Sequence, residues 1–142
     1  RALALSSDTA LRAAIEEVMR FHSSVTGSEA HYAMGDVELS GTVIRKGQPV
    51  FALFGAANRD PRVFERPDVF DVARSPNKHH GIGQGIHNCL GATLARIETQ
   101  IAHRPQYEGF PDVHLAVAPD ALRLNKIPFF RRYRELPVRL GA

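Results

Sequence analysis

The side chains best suited to chemistry lie in one run, His79-His80-Gly81-Ile82-Gly83-Gln84-Gly85-Ile86-His87-Asn88-Cys89-Leu90-Gly91, which holds the only cysteine of the chain. A thiolate is both a nucleophile and a soft metal ligand. Gly81, Gly83 and Gly85 remove side chains where the backbone must bend sharply or approach something closely. Immediately after the cysteine, Leu90, Leu94, Ile97 and Ile101 recur at steps of four, three and four, one apolar face of an amphipathic helix. The spacing predicts Cys89 in a glycine-relaxed loop at the start of a helix, where unpaired N–H groups favour an anion. A thiolate on such a flattened surface suits a large planar ligand with a metal at its centre.

Other chemistries fit parts of the run. His79, His80, His87 and Cys89 are zinc-ligand types, although one cysteine among clustered histidines matches no common structural zinc spacing. Cys89 and His87 could be nucleophile and base if the fold brings them together. Gly83-Gln84-Gly85 lacks the lysine and hydroxyl of a phosphate-cradling loop. A free cysteine buried in a turn is the plainest alternative. The loop by itself leaves these open.

The loop needs elements to hold it. Upstream, Ser6-Ser7-Asp8 reads as an N-cap for a helix beginning near Thr9, with Leu11, Ile15 and Val18 on its apolar face. Glu17 and Arg20, three apart, share one side of that helix. Short β segments follow at residues 32–34, 37–39 and 42–44, punctuated by Gly35, Gly41 and Gly47. The apolar run at 49–54 reads as a buried strand. Pro61, Pro67 and Pro76 disfavour a long helix before the loop, and Pro105 is expected to stop the helix after it. From Phe110-Pro111-Asp112 onward the tail reads as irregular and partly extended. The 142 residues, 44% hydrophobic, suit one ordinary domain. A formal charge of +3 is too small and too spread out to argue for nucleic acid. No apolar run reaches the roughly eighteen residues of a membrane span. A single cysteine suits a reducing, cytoplasmic setting.

With these residues in view, Gly83-Gln84-Gly85-Ile86-His87-Asn88-Cys89-Leu90-Gly91 resembles the heme-binding signature of the bacterial cytochromes P450. The resemblance implies that Cys89 is the axial thiolate ligand of a heme iron and the catalytic residue, with Gly83, Gly85 and Gly91 shaping the loop around it. His79 and His87 match positions that reach heme propionates. Ile82 stands where the family usually places a phenylalanine beside the thiolate. His31 stands where an arginine usually meets a propionate. Ile15-Glu16-Glu17-Val18-Met19-Arg20-Phe21 resembles the family's K helix. Its Glu17 and Arg20, with Arg74 from Phe70-Asp71-Val72-Ala73-Arg74, would form a buried structural ion network. Residues 56–61 and 64–70 resemble the approach to the meander, and residues 128–130 and 134–138 resemble the C-terminal β segments, whose turn can touch substrate.

The implied fold is α+β, the C-terminal portion of a cytochrome P450: K-like helix, small β-sheet, meander, cysteine loop, L-like helix and β tail, one heme-binding region over residues 1–142. The implied activity is monooxygenation, the insertion of one oxygen atom from dioxygen into a small organic substrate, with residues 23–29 lining its pocket. A ferredoxin- or flavodoxin-type electron donor would dock around Arg74, Lys78, Arg96 and Arg104, unless those charges are an ordinary solvated face. The family's long central helix, with its acid–alcohol pair, has no counterpart here. The expectation is therefore a truncated region that self-associates or takes up a complementary chain. The rival readings are a non-catalytic heme-binding remnant and a heme-free fragment.

Overall fold

The computed structural model describes residues 2–141, and its first long helix begins where the capping signal stands. After a single turn, α1 (Ala2–Leu5), helix α2 runs Asp8–Phe21, and the Ser7 hydroxyl accepts the Ala10 N–H at 3.1 Å. Asp8 in the first turn and Arg20 in the last both match the helix dipole. Leu11, Ala14 and Ile15 are buried, but Val18 is 48% exposed. The expected apolar face is thus turned away from Val18, because the inner positions at the end of α2 are taken by Glu17 and Arg20.

The strands that follow do not form one sheet. They make three separate antiparallel pairs: β1 (His31–Tyr32) with β4 (Pro49–Val50), β2 (Val37–Leu39) with β3 (Thr42–Ile44), and β5 (His114–Leu115) with β6 (Val138–Arg139). The β2–β3 hairpin turns through Ser40 (φ 50°) and Gly41 (φ 80°), the paired left-handed residues that a tight hairpin needs. The apolar run at 49–54 is not a buried strand. Only Pro49 and Val50 pair; Phe51 and Leu53 are 44% and 56% exposed, and Phe54 opens the short helix α3 (Phe54–Ala57). The Ser28 N–H donates to the Ala52 carbonyl at 2.8 Å while its hydroxyl accepts the Ala52 N–H at 2.9 Å, so a side chain supplies one of the two bonds there.

Helix α4 spans Ala92–Gly109 and passes through Pro105, contrary to the expected stop. Proline's fixed φ is itself helical, and the ring removes one N–H at a cost of about 3 kcal/mol. Arg104 and Glu108 form an ion pair across the site at 3.3 Å, and Arg104 also meets Asp8 at 2.8 Å. Leu90, Leu94, Ile97 and Ile101 do recur on one side, yet they are 105%, 59%, 48% and 68% exposed. Helix α4 instead meets α2 through buried Ala92 and through Arg96 and Gln100, which bind Glu16 and Arg12.

The interior is built as much on charge as on hydrocarbon. Besides Leu11, Ala14, Ile15, Phe64 and Ala92, the buried side chains include Glu17, Arg20 and Asn58, all almost fully enclosed. Arg20 uses every N–H donor of its guanidinium. Nε and Nη2 each reach a Glu17 oxygen at 2.8 Å. Nη1 donates to the Asn58 and Pro67 carbonyls at 2.8 and 2.9 Å, and Nη2 also to Val69 at 3.2 Å. Glu17 further accepts the Asp71 N–H at 2.9 Å, Arg74 Nε at 3.3 Å and Asn77 Nδ2 at 3.2 Å. The irregular segment 58–77 is therefore wrapped around one ion pair, which supplies what its backbone cannot give itself.

Glu17→Gln leaves the Arg20 guanidinium buried without a counter-charge, and an expected loss of roughly 3–5 kcal/mol follows. Urea denaturation measures it. Arg62→Ala breaks a shorter ion pair, to Asp60 at 2.5 Å, but with Arg62 87% exposed the midpoint should barely move. Equal losses from the two variants would show that burial does not rank these pairs.

Candidate functional site

Two neighbouring carboxylates on α2 hold different parts of the chain. Successive helical residues point about 100° apart, so while Glu17 faces the 58–77 segment, Glu16 faces the cysteine loop and α4. Arg96 binds Glu16 in a fork, Nε at 2.6 Å and Nη2 at 2.8 Å. His79 Nε2 lies 2.9 Å from Glu16 Oε2, and the Gly81 N–H donates to His79 Nδ1 at 3.0 Å. With Nδ1 accepting, the neutral ring carries its proton on Nε2 and donates it to Glu16. A second tie comes from Asn58: Oδ1 accepts the His80 N–H at 2.7 Å, and Nδ2 donates to the Ser23 hydroxyl at 3.0 Å.

The loop so held closes on itself. Cys89 N–H donates to the Ile82 carbonyl at 3.0 Å, and a short 3₁₀ turn, Gly85–His87, lies between them. Gly83 has φ 73°, and a Cβ there would stand 2.6 Å from the His87 carbonyl oxygen. A Cβ on Gly81 would stand 2.7 Å from the Met19 carbonyl oxygen at the end of α2. Both positions need glycine for space, and Gly83 needs it for conformation too. Gly85 has φ 63° with open space around it, and Gly91 is the N-cap of α4.

Each residue singled out from the sequence has a definite place. Cys89 is exposed, so it is not a cysteine buried in a turn. His31 and His87 meet edge to face with ring centroids 5.2 Å apart. His79 does not join them: its side chain is 3% exposed and both nitrogens are engaged with Glu16 and Gly81. Among the described residues no group of three or more metal-ligating side chains is gathered, so the zinc reading has no geometry. Arg74 is also withdrawn from any docking face. Its side chain is 9% exposed and donates to Glu17 and to the Glu65, Arg66 and Val69 carbonyls. Arg96 and Arg104 are paired with acids, while Lys78 is exposed.

The residues around Cys89 fit a heme. The sulfur is the one soft donor, and beside it the apolar side chains of Ile86 and Leu90 are 96% and 105% exposed, a surface suited to a flat apolar ring. The paired imidazoles of His31 and His87 are placed together as donors for carboxylates. A cleft of about 400 Å³ opens beyond the C-terminal end of α2, lined among others by Thr26, Leu53, Arg59, Phe129 and Arg131. The turn after α2 and the C-terminal segment meet there: Thr26 N–H donates to Phe129 O at 2.7 Å, and Arg131 N–H to Ser24 O at 2.8 Å.

Glu16, Asn58, Ser23 and Asn77 carry much of this arrangement, and sequence reasoning gave them no role. The one usable signal was the Glu16-Glu17 doublet, since two acids together on a helix otherwise half buried ask for two sets of partners.

The cytochrome P450 family model matches residues 6–103. A polyketide biosynthesis cytochrome P450 of Bacillus subtilis, PksS, is 44% identical over 128 residues, covering 90% of this chain and 32% of that protein. Cytochrome P450 107B1 of Saccharopolyspora erythraea is 43% identical over 140 residues, covering 98% and 35% respectively. Among solved structures, the tirandamycin C-bound P450 monooxygenase TamI superposes with a TM-score of 0.92 at 36% identity, covering 96% of this chain and 34% of that one. The chain spans about a third of the length of the curated relatives it matches.

Acid should loosen the site. The Arg96 fork holds the Glu16 carboxyl below its ordinary value of 4.5, with burial opposing and His79 assisting. For Glu17, burial is the largest influence and raises the value, but Arg20, the Asp71 N–H and Arg74 together outweigh it and leave it lowered. A depressed carboxyl contributes stability that is complete above its unfolded value and lost as pH falls through the folded one. The urea midpoint should stay level down to a pH of about 5 and decline below it. A smaller acid decline is expected in Glu16→Gln, and an identical one would remove Glu16 from the account.

Proposed function

The chain belongs to the cytochrome P450 family, and we propose that its part is to hold heme through the Cys89 thiolate, as the heme-binding region of a monooxygenase. One observation carries this reading. The only cysteine is exposed at the start of α4, on a loop held tight by left-handed glycines, beside the bare apolar side chains of Ile86 and Leu90. A structural cysteine would be inside, and a zinc ligand would have partners. When bound, heme supplies the reductive activation of dioxygen and the transfer of one oxygen atom to an organic substrate.

The chain's own residues have limited and separate tasks. Cys89 would hold the iron through its thiolate and supply electron density to it. The Cys89 N–H, engaged with the Ile82 carbonyl, keeps the sulfur at the surface of the loop. Gly83 and Gly85, both at positive φ, would leave room for a flat ligand beside the loop, and Ile82 is tied to Cys89 by its carbonyl. His87 and His31 reach for the propionates, while Glu17, Arg20 and Arg74 fix the framework. Residues 23–29 and the Phe129 turn, adjacent at the 400 Å³ cleft, are the elements offered to a small organic substrate. An acidic electron donor of ferredoxin or flavodoxin type would find Lys78 exposed just before the cysteine loop, while Arg96 and Arg104 are partly neutralised by acids.

The test is a carbon monoxide difference spectrum of the reduced chain after reconstitution with heme. The thiolate-type band is expected, and it should vanish in Cys89→Ala with secondary structure unchanged. A variant that kept the band would end the assignment. Regioselective hydroxylation is not expected from the chain alone. Oxygen chemistry of this kind needs water excluded from the site, and Cys89, Ile86 and Leu90 lie open on this chain. Turnover with peroxide, scored by product regiochemistry against free heme, checks this.

A further inference from the structure

We propose that Glu16 is the positioning residue of the cysteine loop, acting through His79 on one side of Cys89 and through Arg96 on the other. The consequence for heme rests on the function proposed above; the effect on the loop does not. Cys89 lies between two anchors that end on the same carboxylate. Ten residues before it, His79 passes the Glu16 interaction on to the Gly81 N–H, at 2.9 and 3.0 Å. Seven residues after it, Arg96 binds both Glu16 oxygens at 2.6 and 2.8 Å. Among the described residues, the other side-chain hydrogen bond on residues 79–91 is that of Asn58 to the His80 N–H, on the same side as His79, and the His31 ring meets that of His87 within the loop. Among these side-chain hydrogen bonds, those of Glu16 join the segment entering the loop to the helix leaving it.

The chemistry favours a firm clamp. The His79 ring is 3% exposed, so its bond to Glu16 is shielded from water on that side. The Arg96 interaction is bidentate, which fixes the direction of approach as well as the distance. The Gly81 N–H, aimed at Nδ1, holds the ring in the tautomer that donates to Glu16. Close packing leaves the loop little alternative, since Gly81 already sits against the Met19 carbonyl. Groups outside the ligand shell set ligand orientation in the same way in other metal sites. The role differs from that of Glu17, whose partners all lie in the 58–77 segment and on α2.

Amide hydrogen exchange on the whole chain, followed residue by residue, tests the clamp without heme. In Glu16→Ala the amides of Gly81, Gly83 and Cys89 should exchange about tenfold faster, as expected for lost hydrogen bonds to a charged group, while the amides of α2 keep their rates. His79→Ala, which leaves the Arg96 fork in place, should give part of that loosening, with the double variant no worse than Glu16→Ala. Glu16→Gln, which keeps an acceptor for His79, should recover part of the protection. Arg104→Ala, which removes a different α2–α4 ion pair, should leave the loop unchanged. In the heme-reconstituted chain, Glu16→Ala should bind heme about tenfold more weakly and with less thiolate-type spectrum. Unchanged loop exchange in Glu16→Ala, or equal loosening in Arg104→Ala, would overturn the proposal. If the unaltered chain gave no thiolate-type spectrum while the exchange pattern held, Glu16 would remain the clamp and the assignment of Cys89 would fall.

Discussion

The ion pair between Glu17 and Arg20 is the interaction on which the remaining structure depends. Two charges three residues apart on a helix would ordinarily contribute a few tenths of a kcal/mol. Here both side chains are fully enclosed, and in that setting an ion pair survives only if its other hydrogen-bonding groups are met. They are met by backbone: carbonyls of Asn58, Pro67 and Val69 and the N–H of Asp71. The segment that supplies them has little regular structure and could not satisfy itself. The dependence is mutual, since the segment needs the charges for its shape and the charges need the segment for their burial.

The neutral part of the interior reads differently in this light. Leu11, Ala14, Ile15, Phe64 and Ala92 are a small hydrophobic core for a chain of 142 residues. Phe64 lies with its ring centroid 5.3 Å from the Arg20 guanidinium, so even an aromatic core residue is arranged around the charge. Many large apolar side chains remain outside, among them Leu90, Leu94 and Ile101 on α4. Exposed apolar faces of that extent commonly mark contact surfaces.

What could be read from the sequence was what local chemistry decides. Ser7 as a cap, the glycine loop, the onset of a helix after Cys89 and the short β segments on either side of Gly41 all follow from neighbours within a few positions. Long-range partners were not legible. Glu16 carries no mark that names His79 or Arg96, and Asn58 is one polar residue in a turn until the fold encloses it. The reading of residues 49–54 failed because an apolar run shows what can be buried, not what is. Pro105 misled because a proline's lost hydrogen bond is a cost, not a prohibition. The resemblance to the P450 signature singled out Cys89, His31, His79 and His87; it carried no sign that the His31 and His87 rings meet or that His79 bonds to Glu16.

Because Glu16 and Glu17 are adjacent on one helix, their two sets of partners share a single angular reference. Rotating α2 by one residue's worth would carry both carboxylates off target together, and no movement of one loop could restore the other. Substitution can therefore adjust either tie separately, whereas a change of length inside α2 disturbs both at once. The β2–β3 hairpin is different: its residues are mostly exposed, and its turn has open space around it. Insertions and deletions over evolutionary time should thus accumulate in the hairpin and be purged from the helix, leaving α2 the fixed ruler against which the rest of the chain is measured.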